Sequence, residues 1–184
     1  MAAALLVLLG SAAPAGATGE SEWQLSARMG AANVQLGSID PRAPWGFGMA
    51  LDLEYGITDA WAARVSAGTS FHPVDADQRY GLQSGEVTAT TALAGVAYTF
   101  DVLRLVPYGE LAVGLVRFGG VVAAPHTAFA SELGVGADYL LTRKWSLGVS
   151  LQYLFSPSDL LSNAMNLGSA PYTFSATFRG SRTF

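Results

Sequence analysis

Two histidines and no cysteine limit the chemistry that this chain of 184 residues can carry. Ser70 and His72 stand two apart in Thr69-Ser70-Phe71-His72, and His126 lies shortly before Ser131 and Glu132. A serine beside a histidine is the minimum for an activated nucleophile, because the imidazole takes the hydroxyl proton as the oxygen attacks. The spacing is unspecific, however, and histidines in the loops of exported chains are more often simply solvated. Two isolated histidines do not make a zinc site, which needs three or four ligands. Neither catalysis, a metal nor a cofactor is therefore expected. The second chemical set is ionic: Arg28, Asp52, Glu54, Arg64, Glu110, Glu132, Asp138 and Arg179, three positive against five negative.

What must position these charges is a series of strands. Trp45, Phe47, Met49, Leu51, Leu53 and Tyr55 alternate with Gly46, Gly48, Ala50, Asp52 and Glu54. After Gly56 to Ala60 the alternation resumes, with Trp61, Ala63, Val65, Ala67, Thr69 and Phe71 on one face and Arg64 on the other. A period of two over such runs is an extended strand, and the short break joins two of them as a hairpin. If that break closes symmetrically, Asp52 and Arg64 stand directly opposed. The apolar faces are bounded by aromatic rings, and a strand of this length, tilted by ~45°, rises roughly 25 Å, the height of a lipid-facing band. Tryptophan and tyrosine favour such boundaries because one ring edge is polar and the body is not.

Composition agrees. Charged residues make up 13% of the chain and apolar ones 51%, with 21 glycines. The charged share is about half of the ~25% usual in soluble domains. No internal apolar run reaches the ~18 residues of a membrane helix. The formal charge of −4 offers no basic face, so nucleic acid is not an expected partner. Residues 1–17 read as a cleaved signal peptide, with an apolar core from Ala2 to Leu9 and Ala15-Gly16-Ala17 as the cleavage signal, although the usual basic residue before the core is missing. Residues 18–184 then form a single domain.

Further alternating runs begin near Trp23, Val87, Pro107, Phe129, Trp145 and Tyr172, the last taken as far as Arg179, giving eight strands. The connections 56–60, 101–105 and 142–144 are short. The others, 38–44, 72–85, 119–127 and 156–171, are longer, and the last suggests a short helix capped by Ser158 or Asp159. In membrane barrels short turns are periplasmic and long loops extracellular. That places Trp23, Tyr55, Trp61, Tyr98, Tyr139, Trp145 and Phe178 in an inner aromatic girdle, and Trp45, Phe71, Phe129, Phe155 and Tyr172 in an outer one. The expected fold is all-β: a closed eight-stranded antiparallel up-and-down transmembrane barrel. Closure is required because an open sheet edge in hydrocarbon leaves backbone groups unpaired. The ionic residues would fill its lumen as a paired network, since charges in a low-dielectric wall must be paired or hydrated. Arg42, Arg79 and Arg117 fall at or above the outer girdle, where lipopolysaccharide phosphates lie. A soluble lipocalin-like barrel is the rival, with the bulky residues inside and the charges outside; the scarcity of lysine argues against it.

Tyr55-Gly56-Ile57-Thr58-Asp59-Ala60-Trp61, Pro107-Tyr108-Gly109-Glu110-Leu111, Gly134-Val135-Gly136-Ala137-Asp138-Tyr139 with Trp145, and the terminal Phe184 resemble the small eight-stranded outer-membrane proteins, the group of the OmpA membrane domain, OmpX, OmpW and the outer-membrane β-barrel domain family. Gly180, Ser181 and Arg182 interrupt the apolar alternation usual before the last phenylalanine of that group. The resemblance implies a non-catalytic role in envelope integrity or in surface interaction through the loops. Its implied partners are outer-membrane lipid and lipopolysaccharide, with periplasmic chaperones and the barrel-assembly machinery during biogenesis. Two alternatives stay open: an OmpW-like conduit for small, apolar molecules, which an apolar lining above the charges would favour, and a lipid A-modifying enzyme. Oligomeric state is not legible.

Overall fold

The computed structural model describes residues 19–35, 44–75, 84–100, 104–120, 126–157 and 172–184. Eight strands follow one another: β1 (Trp23–Gln35), β2 (Trp45–Gly56), β3 (Trp61–Val74), β4 (Gly85–Thr99), β5 (Leu105–Gly120), β6 (His126–Leu140), β7 (Trp145–Phe155) and β8 (Tyr172–Thr183). Each pairs antiparallel with the next, and β1 closes on β8 from Gln24–Thr183 to Gln35–Tyr172. Every strand edge is thereby paired, the condition for a sheet in hydrocarbon.

The alternation seen in the sequence becomes inside and outside. Trp23, Trp61, Leu147 and Val149 point outward and are about half exposed, while Arg64 and Asp138 are buried in the lumen. This inside-out arrangement excludes the lipocalin-like reading. Two of the short turns share one construction. In Thr58-Asp59-Ala60-Trp61, Ile57 and Thr58 N–H donate to Trp61 O, and Thr58 Oγ1 accepts from Ala60 and Trp61 N–H. Thr142-Arg143-Lys144-Trp145 repeats each of these bonds. A threonine oxygen satisfies the turn and a tryptophan starts the next strand.

Two expectations need correction. Gly56 pairs with Ala62, so the hairpin closes around Asp59 and Arg64 lies opposite Glu54, with Asp52 opposite Ser66. Moving the register by two residues exchanges partners but leaves every side chain on its face. Second, β8 continues past Arg179 to Thr183. Phe178 therefore pairs with Met29 and Val149 in mid-strand and does not join the girdle of Trp23 and Trp145. The signal peptide, the helix expected from Ser158 or Asp159 to Gly168, Arg42 and Arg79 lie outside the described residues.

Candidate functional site

The eight predicted ionic residues all project into the lumen and all are buried. They form two linked groups near the end that carries the short turns. In the first, Arg28 from β1 and Arg64 from β3 share Asp52 of β2: Arg28 Nε lies 2.8 Å from Oδ2 and Arg64 Nη2 lies 2.9 Å from Oδ1. Both also reach Glu110 of β5, Arg28 at 3.2 Å and Arg64 through Nη1. Glu132 of β6 receives Arg64 at 3.4 Å. Five strands are thus joined across the lumen by two guanidiniums, whose fork of donors can serve several carboxylates at once. In the second group Arg179 of β8 donates to Glu54 at 2.6 Å, lies 3.6 Å from Asp138, and bonds Ser26 Oγ at 2.9 Å.

Three neighbours complete this layer. Tyr108 places its ring 4.9 Å beneath the Arg179 guanidinium. Gly134 and Gly136, the cross-strand partners of Glu110 and Tyr108, leave the space those side chains occupy. A Cβ on Gly134 would collide with the Glu110 carboxylate, and one on Gly136 with the Tyr108 ring. Tyr108 and these glycines were visible in the sequence only as family resemblance. Their signal is the alternation of bulky 108 and 110 with bare 136 and 134, readable once the pairing is known.

Toward the loop end the lumen changes character. Val34, Val74, Val87, Val116, Phe118 and Leu154 gather there as a buried apolar cluster. Between the tiers lies a cavity of about 70 Å³, lined by Gly48, Gly68, Ser70, Thr91, Gln152 and Leu154 among others. Ser70 does meet His72: Oγ lies 2.8 Å from Nε2, while Nδ1 lies 3.2 Å from Pro44 O. A carbonyl can only accept, so Nδ1 carries a proton and in the neutral ring Nε2 accepts from Ser70. That is the orientation a general base needs. The rest of a hydrolytic site does not assemble around it. His72 is fully buried, and the neighbouring backbone is committed to the β2–β3 and β3–β4 ladders. Ser131 and Glu132 are buried in the lumen; the side chain of His126 lies outside the described part. Among the described residues no group of histidines and carboxylates could hold a metal.

The expected girdle residues other than Phe178 lie on the outer surface at the two ends. At the short-turn end Trp23 packs on Tyr55 and Trp61 on Tyr98, at 4.9 and 4.8 Å between centroids, with Tyr139 and Trp145 exposed beside them. At the loop end Trp45, Phe71, Phe129, Phe155 and Tyr172 face outward, with Tyr153 stacked between Phe155 and Tyr172. Arg117 is exposed on the same outer wall.

The family model described as "Outer membrane protein beta-barrel domain" matches residues 2–179. Among solved structures, Neisserial surface protein A (NspA) is similar with a TM-score of 0.66 at 16% identity, covering 90% of this chain and 100% of that one. Ail, the attachment invasion locus protein of Yersinia pestis, gives a TM-score of 0.60 at 13% identity, covering 90% and 99%. OprG from Pseudomonas aeruginosa gives 0.58 at 15%, covering 89% and 97%. No curated protein sequence matches the chain.

Proposed function

The chain belongs to the outer membrane protein beta-barrel domain family and is a protein of the cell outer membrane, and from that premise we propose that it is a non-catalytic, non-conducting barrel. It contributes to envelope integrity or presents its extracellular loops to surface partners. The observation that carries this reading is the bridge from Arg28 and Arg64 to Asp52, Glu110 and Glu132, which crosses the lumen. An eight-stranded barrel has room for side chains and little else, so such a layer leaves no aqueous path. The printed names of two similar structures, a surface protein and an attachment protein, agree with a role at the cell surface. Lipid and lipopolysaccharide surround the barrel in this reading, and chaperones and the assembly machinery deliver it. Planar-bilayer recording of the refolded chain tests it: a quiet baseline is expected, and stepwise conductance would sink it.

The apolar upper tier favours a second reading, a conduit for small apolar molecules. Two features weigh against it. The cavity is about 70 Å³, and the β3–β4 ladder runs unbroken from Trp61–Tyr98 to Val74–Gly85, so no lateral gap opens between those two strands. The enzymatic alternative has only the Ser70–His72 contact in its support. If lipid A from cells carrying the chain changed mass, and the change vanished in Ser70→Ala, the non-catalytic reading would be wrong.

A further inference from the structure

The departure from apolar alternation near the C-terminus has a structural counterpart. Arg182 lies on the lipid-facing side of β8, opposite Trp145 of β7 and Leu25 of β1. Its guanidinium sits 5.3 Å from the Trp145 ring and 4.9 Å from the Phe184 ring. Two rings hold the charge at the periplasmic boundary, by cation–π attraction, but they do not neutralise it. Arg143 and Lys144 are exposed in the adjoining turn, where Lys144 O accepts from Thr183 N–H. Among the described residues none of these three cations has a carboxylate partner. Glu22, which precedes Trp23, turns its carboxylate to Gly19 N–H instead. Cations at a membrane surface that are not held in ion pairs draw anionic headgroups.

The wall beside them is shaped to match. Val135, Ala137, Val149, Leu151, Ala176 and Phe178 line a groove of about 470 Å³ on the outer face of β6, β7 and β8. Phe178, 73% exposed, forms one side. Gly180 and Leu147, cross-strand partners, separate the groove from Arg182, and Gly180 adds no side chain to block the way. From Arg182 to Phe178 is four residues, ~13 Å along an extended strand. That is the distance from a headgroup at the interface to the middle of its own acyl chain.

We propose that the β6–β7–β8 wall binds one anionic phospholipid of the periplasmic leaflet, its phosphate held by Arg182 with Arg143 and Lys144 and one acyl chain seated in the groove. The role goes beyond that of the lumen and the loops and does not depend on either. It also accounts for an arginine where the strand would otherwise place an apolar residue against lipid.

The test uses the full chain with Trp145 as its only tryptophan (Trp23→Phe, Trp45→Phe, Trp61→Phe), folded into phosphatidylcholine vesicles. Its fluorescence is quenched by increasing fractions of brominated phosphatidylglycerol or of brominated phosphatidylcholine. Half-quenching is expected at a roughly fivefold lower fraction of the anionic lipid, the effect of about one well-placed cation. Replacing Arg143, Lys144 and Arg182 together by glutamine should make the two curves coincide. Ala176→Phe, which fills the groove and leaves all charges in place, should reduce the preference. Unboiled-gel migration verifies that each variant is folded. Coincident curves for the parent chain, or a preference that survives the triple substitution, would overturn the site. An unchanged preference in Ala176→Phe would overturn the seating of the acyl chain.

Discussion

In the short-turn half of the lumen, Arg28, Arg64 and Arg179 tie together five carboxylates from three other strands. Further toward the loop end, Val34, Val74, Val116 and Leu154 fill the lumen with apolar contact. Both halves close the same cylinder, but they fail differently. An apolar layer that loses a side chain loses contacts and gains a void. An ionic layer that loses one cation strands several carboxylates, and their desolvation then has no offset. The short-turn half is also acid-rich, with five carboxylates to three guanidiniums, so no guanidinium in it is redundant.

The largest expected effect comes from breaking that half. Arg64→Ala leaves Asp52, Glu110 and Glu132 with Arg28 as their remaining ion-pair partner among the described residues and should cost about 3–5 kcal/mol. Leu154→Ala in the other half should cost about 2–4 kcal/mol, and less if water or neighbours occupy the space. Urea unfolding of the vesicle-inserted chain, followed by unboiled-gel migration, measures both. Equal losses would remove the distinction between the tiers.

A second comparison sharpens the first, by asking whether the ionic half is as tightly packed as it is charged. Gly134→Val drives a side chain into the Glu110 carboxylate and should cost about 1–3 kcal/mol, as overpacking does in a filled core. Gly180→Val faces lipid, where a Cβ meets only Leu147 Cδ2 at 3.6 Å, and should change stability by no more than about 0.5 kcal/mol. A tolerated Gly134→Val would mean that the carboxylates have freedom to swing, and that hydration rather than pairing stabilises the layer.

The short-turn half was the more legible in sequence for a physical reason. There the two faces of each strand differ in kind, Leu53 against Glu54 or Val65 against Arg64, so period two carries a sign as well as a spacing. In the loop half both faces are apolar or small, as in Val87 to Ala92, and alternation no longer says which side is which. The apolar tier therefore came only from the structure. Partner identity was beyond the pattern as well: Asp52–Arg64 was expected as a facing pair, and the contact forms diagonally because the turn closes one residue later than symmetry about Thr58 suggests. The end of β8 was lost where Gly180 and Arg182 occupy lipid-facing positions, since neither is apolar.

The smallest effect concerns the two matched turns at the short-turn rim. Thr58 and Thr142 each accept two backbone N–H groups and each precede a girdle tryptophan by three residues, yet the residues between them are Asp59-Ala60 in one turn and Arg143-Lys144 in the other. If the threonine oxygen sets the geometry, charge should not matter. Thr58→Ala and Thr142→Ala would then cost the same, under about 1 kcal/mol each, because the freed N–H groups lie where water can replace the hydroxyl. Trp61 rests on Tyr98 whereas Trp145 rests on Arg182, so in anionic vesicles the second turn has an additional tether. Thr142→Ala should then be milder than Thr58→Ala in phosphatidylglycerol, and equal to it in phosphatidylcholine. A difference that persists in the zwitterionic lipid would show that the basic turn differs in its own backbone and not in what it binds.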